Sequence, residues 1–186
     1  MGYLIRSIRA DEWAAAKALR LVALQDPVAH LAFLETYEQA VAQPDEFWQA
    51  RAAGAAEGES QRQQIIAETE GGDWAGSVVV FVEEAGEPDP FGSIAEQRQG
   101  HLVAVFVREE WRGRGVSEAL FARALEWSWD AGLERVRLFV HEDNQRAQGF
   151  YKKAGFVLTG HTVPMAGDSG KRELEMEFLR EREREL

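Results

Sequence analysis

Residues 101–107 are strongly apolar, and polar residues do not alternate cleanly through them. A strand of that kind belongs in the middle of a sheet, covered on both faces. Leu120, Ala124, Trp127 and Ala131 then recur at helical spacing across 117–131, and Gly132 stands where a helix-ending glycine is expected. Residues 136–140 read as the next strand. A strand, a helix and a second strand in this order make a crossover unit with the two strands parallel, so the fold class is α/β.

The rest of the chain supplies partners for that unit. Residues 3–9 read as a first strand. Asp11 can cap a helix over 13–24, which Asp26-Pro27 breaks. A second helix is predicted over 30–42, ended by Gln43-Pro44, and Asp45 can cap a third over 46–53. After a small, polar loop at 54–61 come strands at 64–69 and 74–82, joined by a turn at 71–73. The Gly, Pro and Asp residues of 83–100 predict a connection, with Glu83 and Glu84 as solvated loop charges. A helix over 144–154 closes at Gly155, and strands follow at 156–159 and 172–179. The Arg/Glu tail, 180–186, reads as a solvated helical extension. Without internal repeat or linker, the expectation is one domain, 1–186, with a mixed sheet of about seven strands flanked by helices.

The chain has 186 residues, 45% of them hydrophobic, enough for a real core. Lys and Arg total 21 against 32 Asp and Glu, a formal net charge of −11. That balance argues against nucleic acid and against an anionic membrane surface, and suits a cationic substrate such as an amine. The absence of cysteine excludes disulfides, thiolate metal sites and a cysteine nucleophile. His30, His141 and His161 lack metal-ligand spacing, so no metal is assigned. Residues 1–6 carry no apolar signal-peptide core, and Arg6 stands where a myristoylation signal needs Ser or Thr. No apolar run is long enough to span a bilayer, and a cytoplasmic location is expected.

The chemistry concentrates at Arg112-Gly113-Arg114-Gly115-Val116-Ser117, between the buried strand and its amphipathic helix. A helix start aims free amides and its dipole at one spot, glycines let the backbone approach a bulky anion, and Arg112 and Arg114 add positive charge. A phosphate or pyrophosphate site is the functional expectation, and a solvated surface turn the plain alternative. The loop lacks the Gly-Lys-Ser/Thr of a P-loop and is not G-x-G-x-x-G.

A second segment, 141–156, follows the next strand and carries Asn144, Ala147 and Phe150-Tyr151-Lys152-Lys153-Ala154-Gly155-Phe156. Together the two segments resemble the GNAT superfamily of N-acetyltransferases. One family signature is Gln or Arg, two residues, Gly, one residue, then Gly or Ala, matched by Arg112, Gly115 and Ser117. Ser117 departs from the pattern but stays small and keeps its amide. The resemblance is strongest over 102–156.

That resemblance implies a GNAT fold whose parallel central strands, 101–107 and 136–140, splay apart, with a cofactor core at about 101–156. It implies acetyl-CoA as co-substrate. The amides of Gly113, Arg114, Gly115, Val116 and Ser117 would hold the pyrophosphate beside Arg112. Backbone groups at Val105 and Val107 would hold the pantetheine arm and polarise the thioester carbonyl, with Asn144 as a further contact. Tyr151 would serve the departing thiolate, although a Tyr on an amphipathic helix can also be a plain core aromatic. The base is open between His101, at the place where histone-modifying members carry a glutamate, and Glu68, at the end of a strand. The expected reaction is direct attack by an amine of a small molecule or peptide. The acceptor site is expected in 25–60 and 161–171, and a homodimer is allowed. A non-catalytic acyl-CoA-binding regulatory module and a nucleotide-phosphate binder are the alternatives.

Overall fold

The computed structural model describes residues 2–89 and 92–181. In chain order the elements are β1 Tyr3–Ser7, α1 Trp13–Leu24, α2 Ala29–Ala32, α3 Tyr37–Val41, α4 Asp45–Ala53, β2 Arg62–Thr69, β3 Trp74–Glu83, β4 Gln99–Val107, α5 Val116–Asp130, β5 Arg135–His141, α6 Gln145–Lys153, β6 Val157–Met165 and β7 Asp168–Leu179. The strands form one seven-stranded mixed sheet in the order β1-β2-β3-β4-β5-β7-β6. The expected α/β class and strand count are met. No helix among the described residues is long and apolar enough to cross a membrane. Residues 182–186 of the Arg/Glu tail lie outside the described residues.

The chain groups into two compact units, Met1–Phe81 with Leu102–Ala124 and Val82–His101 with Leu125–Leu186. In the first, β1 and β2 pair antiparallel from Tyr3↔Thr69 to Ser7↔Ile65, and β2 pairs antiparallel with β3. Ile8, Leu19, Ala52, Ala56, Ile66 and Trp74 make the core, and Leu24, Ala40 and Trp48 a second cluster. The helix predicted over 30–42 is two short helices. Phe33 is extended (φ −131°), and Thr36 starts α3 with a reciprocal cap. Its hydroxyl accepts from Gln39 N at 3.2 Å, and Gln39 Oε1 accepts from Thr36 N at 2.9 Å. That cap satisfies orphan amides locally, which a continuous helix through Thr36 would not need.

β4 is irregular at Ala104, whose φ of 54° is the left-handed conformation that side chains rarely adopt. Gly76 on β3 accommodates this stretch. A Cβ added there would stand 2.7 Å from the Phe106 carbonyl oxygen and 3.2 Å from Val107 Cα.

In the second unit β5 pairs antiparallel with β7 along its whole length, from Arg135↔Leu179 to His141↔Glu173. The parallel register of β5 with β4 holds Gly100↔Val136 and His101↔Arg137. β6 and β7 form a hairpin longer than the sequence predicts. Gly160 and Gly167 have φ of 86° and 82°, and the register shifts between Leu158 and Thr162. Gly160 interrupts the alternation that would have marked β6, without ending the pairing, and Gly167 lies in the turn. Gly155 lies under the Phe178 ring, where a Cβ would come within 2.7 Å.

Gly76→Ala tests the close approach of β3 and β4. Both clashing atoms nearest the new methyl are backbone or packed side chain, so the substitution should cost about 1–3 kcal/mol. Thermal unfolding measures it; an unchanged melting temperature would show that β4 can relax away.

Candidate active site

The first unit carries the glycine loop. Gly113 and Gly115 have φ of 73° and 80°, so two left-handed residues bracket Arg114. α5 begins at Val116, and the amides of its first turn have no partner within the helix. Arg112 does not extend freely. Its Nε donates to Val107 O at 3.0 Å, and its Nη2 to Asp26 Oδ2 at 2.6 Å. The guanidinium braces the loop against the end of β4, which limits its role as a mobile phosphate ligand. Arg114 lies over Trp111, 5.5 Å from the ring, and Tyr3 Oη donates to Arg114 O. On β4, Leu102 and Val107 are buried, whereas Val103, Ala104, Val105 and Phe106 are half-buried. Glu68, at the end of β2, accepts from Arg6 Nε at 2.7 Å.

The second unit carries the other sequence-predicted residues. Asn144 caps α6: its Oδ1 accepts from Ala147 N at 3.2 Å, leaving the amide NH2 as a donor. Tyr151 packs with Phe150 and Phe156, at ring separations of 5.8 and 6.4 Å. Burial, with the Glu173 charge adding to it, pushes the Tyr151 phenol up to about 12. It therefore keeps its proton at any ordinary pH. His101 is 1% exposed, with Nδ1 3.2 Å from Glu83 Oε1 and its ring tilted against Phe139.

Glu83 is not the solvated loop charge that its neighbours suggested. It is buried at the end of β3 and takes both Arg137 Nε at 2.9 Å and Nη2 at 2.6 Å. Burial alone would raise its carboxyl, but bonds from His101 and Arg137 outweigh that and hold it at about 2. Arg137 also donates to Asp89 at 2.7 Å and Glu175 at 2.9 Å. Glu83, Asp89 and His101 have ligand atoms close enough together to hold a metal ion. The guanidinium of Arg137 already supplies the positive charge there. Glu84 is half-buried and pairs with Arg98 at 3.1 Å, as a surface charge does.

A family model described as "Acetyltransferase (GNAT) family" matches residues 28–156. The chain belongs to that family. A peptidyl-lysine N-acetyltransferase of Escherichia coli is 35% identical over 83 residues, covering 45% of this chain and 51% of that protein. The chain spans only a quarter to about half the length of such curated relatives. A GNAT-family acetyltransferase from Streptococcus pneumoniae superposes with a TM-score of 0.73 at 20% identity, covering 95% of this chain and 99% of that one. The PaiA N-acetyltransferase from Thermoplasma acidophilum, solved with coenzyme A, gives 0.71 at 15% identity, covering 96% and 99%. At those identities the two structures share the GNAT fold.

Three groups escaped the sequence. Arg20 and Arg51 sit on helical faces where a solvated charge is the ordinary outcome, and nothing local marks them. Glu173 lies in a strand of alternating charge, 172–179, and only the packing shows that it is 7% exposed. Burial raises its carboxyl to about 7.

The folded protein thus retains a proton on Glu173 that an ordinary glutamate, titrating near 4.5, has lost. Stability falls as pH rises from about 4.5 to about 7, and the penalty is complete above that. Glu173→Gln should therefore raise the melting temperature at pH 8 by several degrees, about 2–3 kcal/mol. At pH 4.5 it should change little. An equal gain at both values would contradict the buried titration.

Proposed function

We propose that the protein transfers an acetyl group from acetyl-CoA to an amine by direct attack, residues 1–186 serving as one acetyltransferase domain. The observation that carries the proposal is the loop between β4 and α5, where left-handed Gly113 and Gly115 precede a helix start. Amides from Gly113 to Ser117, including those of Arg114, Gly115 and Val116, receive the pyrophosphate. Arg112, held by Val107 O and Asp26, fixes the loop. The backbone of β4 at half-buried Val105 and buried Val107 receives the pantetheine arm, and the Asn144 amide donates to it. Coenzyme A in the Thermoplasma relative supports this choice of co-substrate.

The amine nitrogen attacks the thioester carbonyl carbon, a β4 amide stabilises the oxyanion, the C–S bond breaks, and the amine proton ends on the CoA thiol. Tyr151, at about 12, is a weaker acid than a thiol near 8.5. Complete proton transfer from it to the thiolate is uphill, so Tyr151 acts by hydrogen-bonding the developing sulfur charge. Of the two candidate bases, His101 is the better built. Its Nδ1 lies 3.2 Å from Glu83 Oε1, which can orient the ring, whereas Glu68 is already paired with Arg6.

Four measurements test the proposal. Gly115→Gln forces a side chain into a left-handed position (φ 80°) at the phosphate loop and should weaken acetyl-CoA binding in calorimetry at least tenfold. A folded variant with undiminished affinity would remove the site. Tyr151→Phe should lower kcat about 10²-fold with little change in acetyl-CoA affinity. An unchanged kcat, with chemistry rate-limiting, would leave Tyr151 a packing residue. In the wild type, kcat should not fall up to about pH 10, because the phenol remains protonated there. His101→Ala should flatten the rising limb of kcat/KM between about pH 6 and 8.5 more than Glu68→Ala. If neither does, the limb belongs to the acceptor amine.

A further inference from the structure

The first unit contains a cavity of about 40 Å3 between α1, α4 and strands β2 to β4. A water needs roughly 10–15 Å3 measured this way, so the space suits about three waters or one carboxylate. Its polar lining is unusual for a chain with an acidic surplus. Arg20 and Arg51 both line it, and among the described residues no carboxylate does. Behind them stands one acid: Glu35 Oε1 takes Arg20 Nε at 2.6 Å and lies 3.7 Å from Arg51 Nη1. One carboxylate therefore serves two cations.

The surroundings sharpen the imbalance. Arg20 is stacked 4.4 Å over the Phe33 ring, and Arg51 lies 5.7 Å from the Trp48 ring. Burial and then Arg51, against the pull of Glu35, push the Arg20 guanidinium below its ordinary value. Trp48, also in the lining, is 2% exposed, and its indole N–H has no hydrogen-bond partner among the described residues. Leaving a buried donor unmade is costly. Gln64, donating to Ser77 Oγ at 3.0 Å, completes the polar wall. Two arginines and no carboxylate on one small cavity make a receptor for an anion. The cavity also reaches Ala104, the left-handed residue of β4, next to Val105.

We propose that Arg20 and Arg51 bind a carboxylate of the acceptor, so that the amine acetylated belongs to a small amino-acid-like molecule. The assignment rests on the acetyltransferase proposal, which places the thioester at β4. The acceptor carboxylate sits against the arginines, and its amine, a few bonds away, faces Ala104. Net charge draws cations to the surface at large, while this cavity selects the anionic end of a zwitterion.

Matched acceptors test it. CoA release is followed with the proteinogenic α-amino acids, their methyl esters and their decarboxylated amines. A peptide with an internal lysine and both ends blocked separates a protein acceptor from a small one. Acetyl-CoA binding is measured independently by calorimetry, and binding of the same acceptors by tryptophan fluorescence with CoA present. At least one free amino acid should exceed its ester and its decarboxylated amine in kcat/KM by about 10- to 100-fold. That preference would run against intrinsic reactivity, since the ester amine is the less protonated. In Arg51→Gln the acid-over-ester ratio should collapse toward one, and Arg51→Lys should restore part of it. A preferred ester, decarboxylated amine or blocked-lysine peptide would overturn the assignment. So would acetyl-CoA binding without turnover or binding of any carboxylate-bearing acceptor. In both cases the acetyltransferase proposal would stand. Failure of the wild-type protein to bind acetyl-CoA would instead remove both.

Discussion

Glu83, Asp89 and Glu175 converge on the guanidinium of Arg137, which is 3% exposed. Each carboxylate is expensive to bury alone, and each is tolerated because the planar fork of Arg137 offers donors in three directions. The cluster joins the end of β3, the connection after it, β5 and β7. It also sits where β4 and β5 pair in parallel, with Arg137 opposite His101. Removing Arg137 would leave three buried negative charges together. At the start of β4, Glu83 Oε1 stands 3.2 Å from Nδ1 of His101, which is 1% exposed.

Farther along, the same strand changes character. From Val103 to Phe106 the residues are only half-buried, and Ala104 takes a conformation that costs about 1–3 kcal/mol. Gly76 on the neighbouring strand makes room for Phe106 and Val107 just beyond it. Strain of that kind persists where the surrounding structure over-determines it, and Ala104 lines the same cavity as Arg20, Arg51 and Trp48. The glycine loop begins a few residues later, braced by Arg112. One strand thus leads from a buried charge cluster to a strained, accessible edge and then to a helix start.

Much of this organisation was legible before any coordinates. The apolar run at 101–107, the helix after Gly115 and the strand at 136–140 have strong periodicities, and all three elements form. Gly113, Gly115 and Gly155 were readable because a glycine at a turn or helix end has a local conformational reason. Thr36 and Gln39 carried a readable capping box that splits the helix predicted over 30–42. Tertiary charge was not legible. Glu83 borders a Gly- and Pro-rich stretch, so local composition points to solvent, while its partner Arg137 lies in a distant strand. Arg20, Arg51 and Glu173 likewise gain their character only from what packs around them. Gly160 concealed the length of β6 because a bulge preserves pairing while breaking alternation.

Under the proposed function, acetyl-CoA lies on the loop between β4 and α5 and along β4. Backbone hydrogen exchange with and without saturating acetyl-CoA reads those amides directly. Bound phosphate oxygens and pantetheine should slow exchange across residues 113–117 and at Val105 and Val107, with smaller effects on the β6–β7 hairpin. Slowing confined to other segments, with 113–117 exchanging at the free rate, would contradict the assignment.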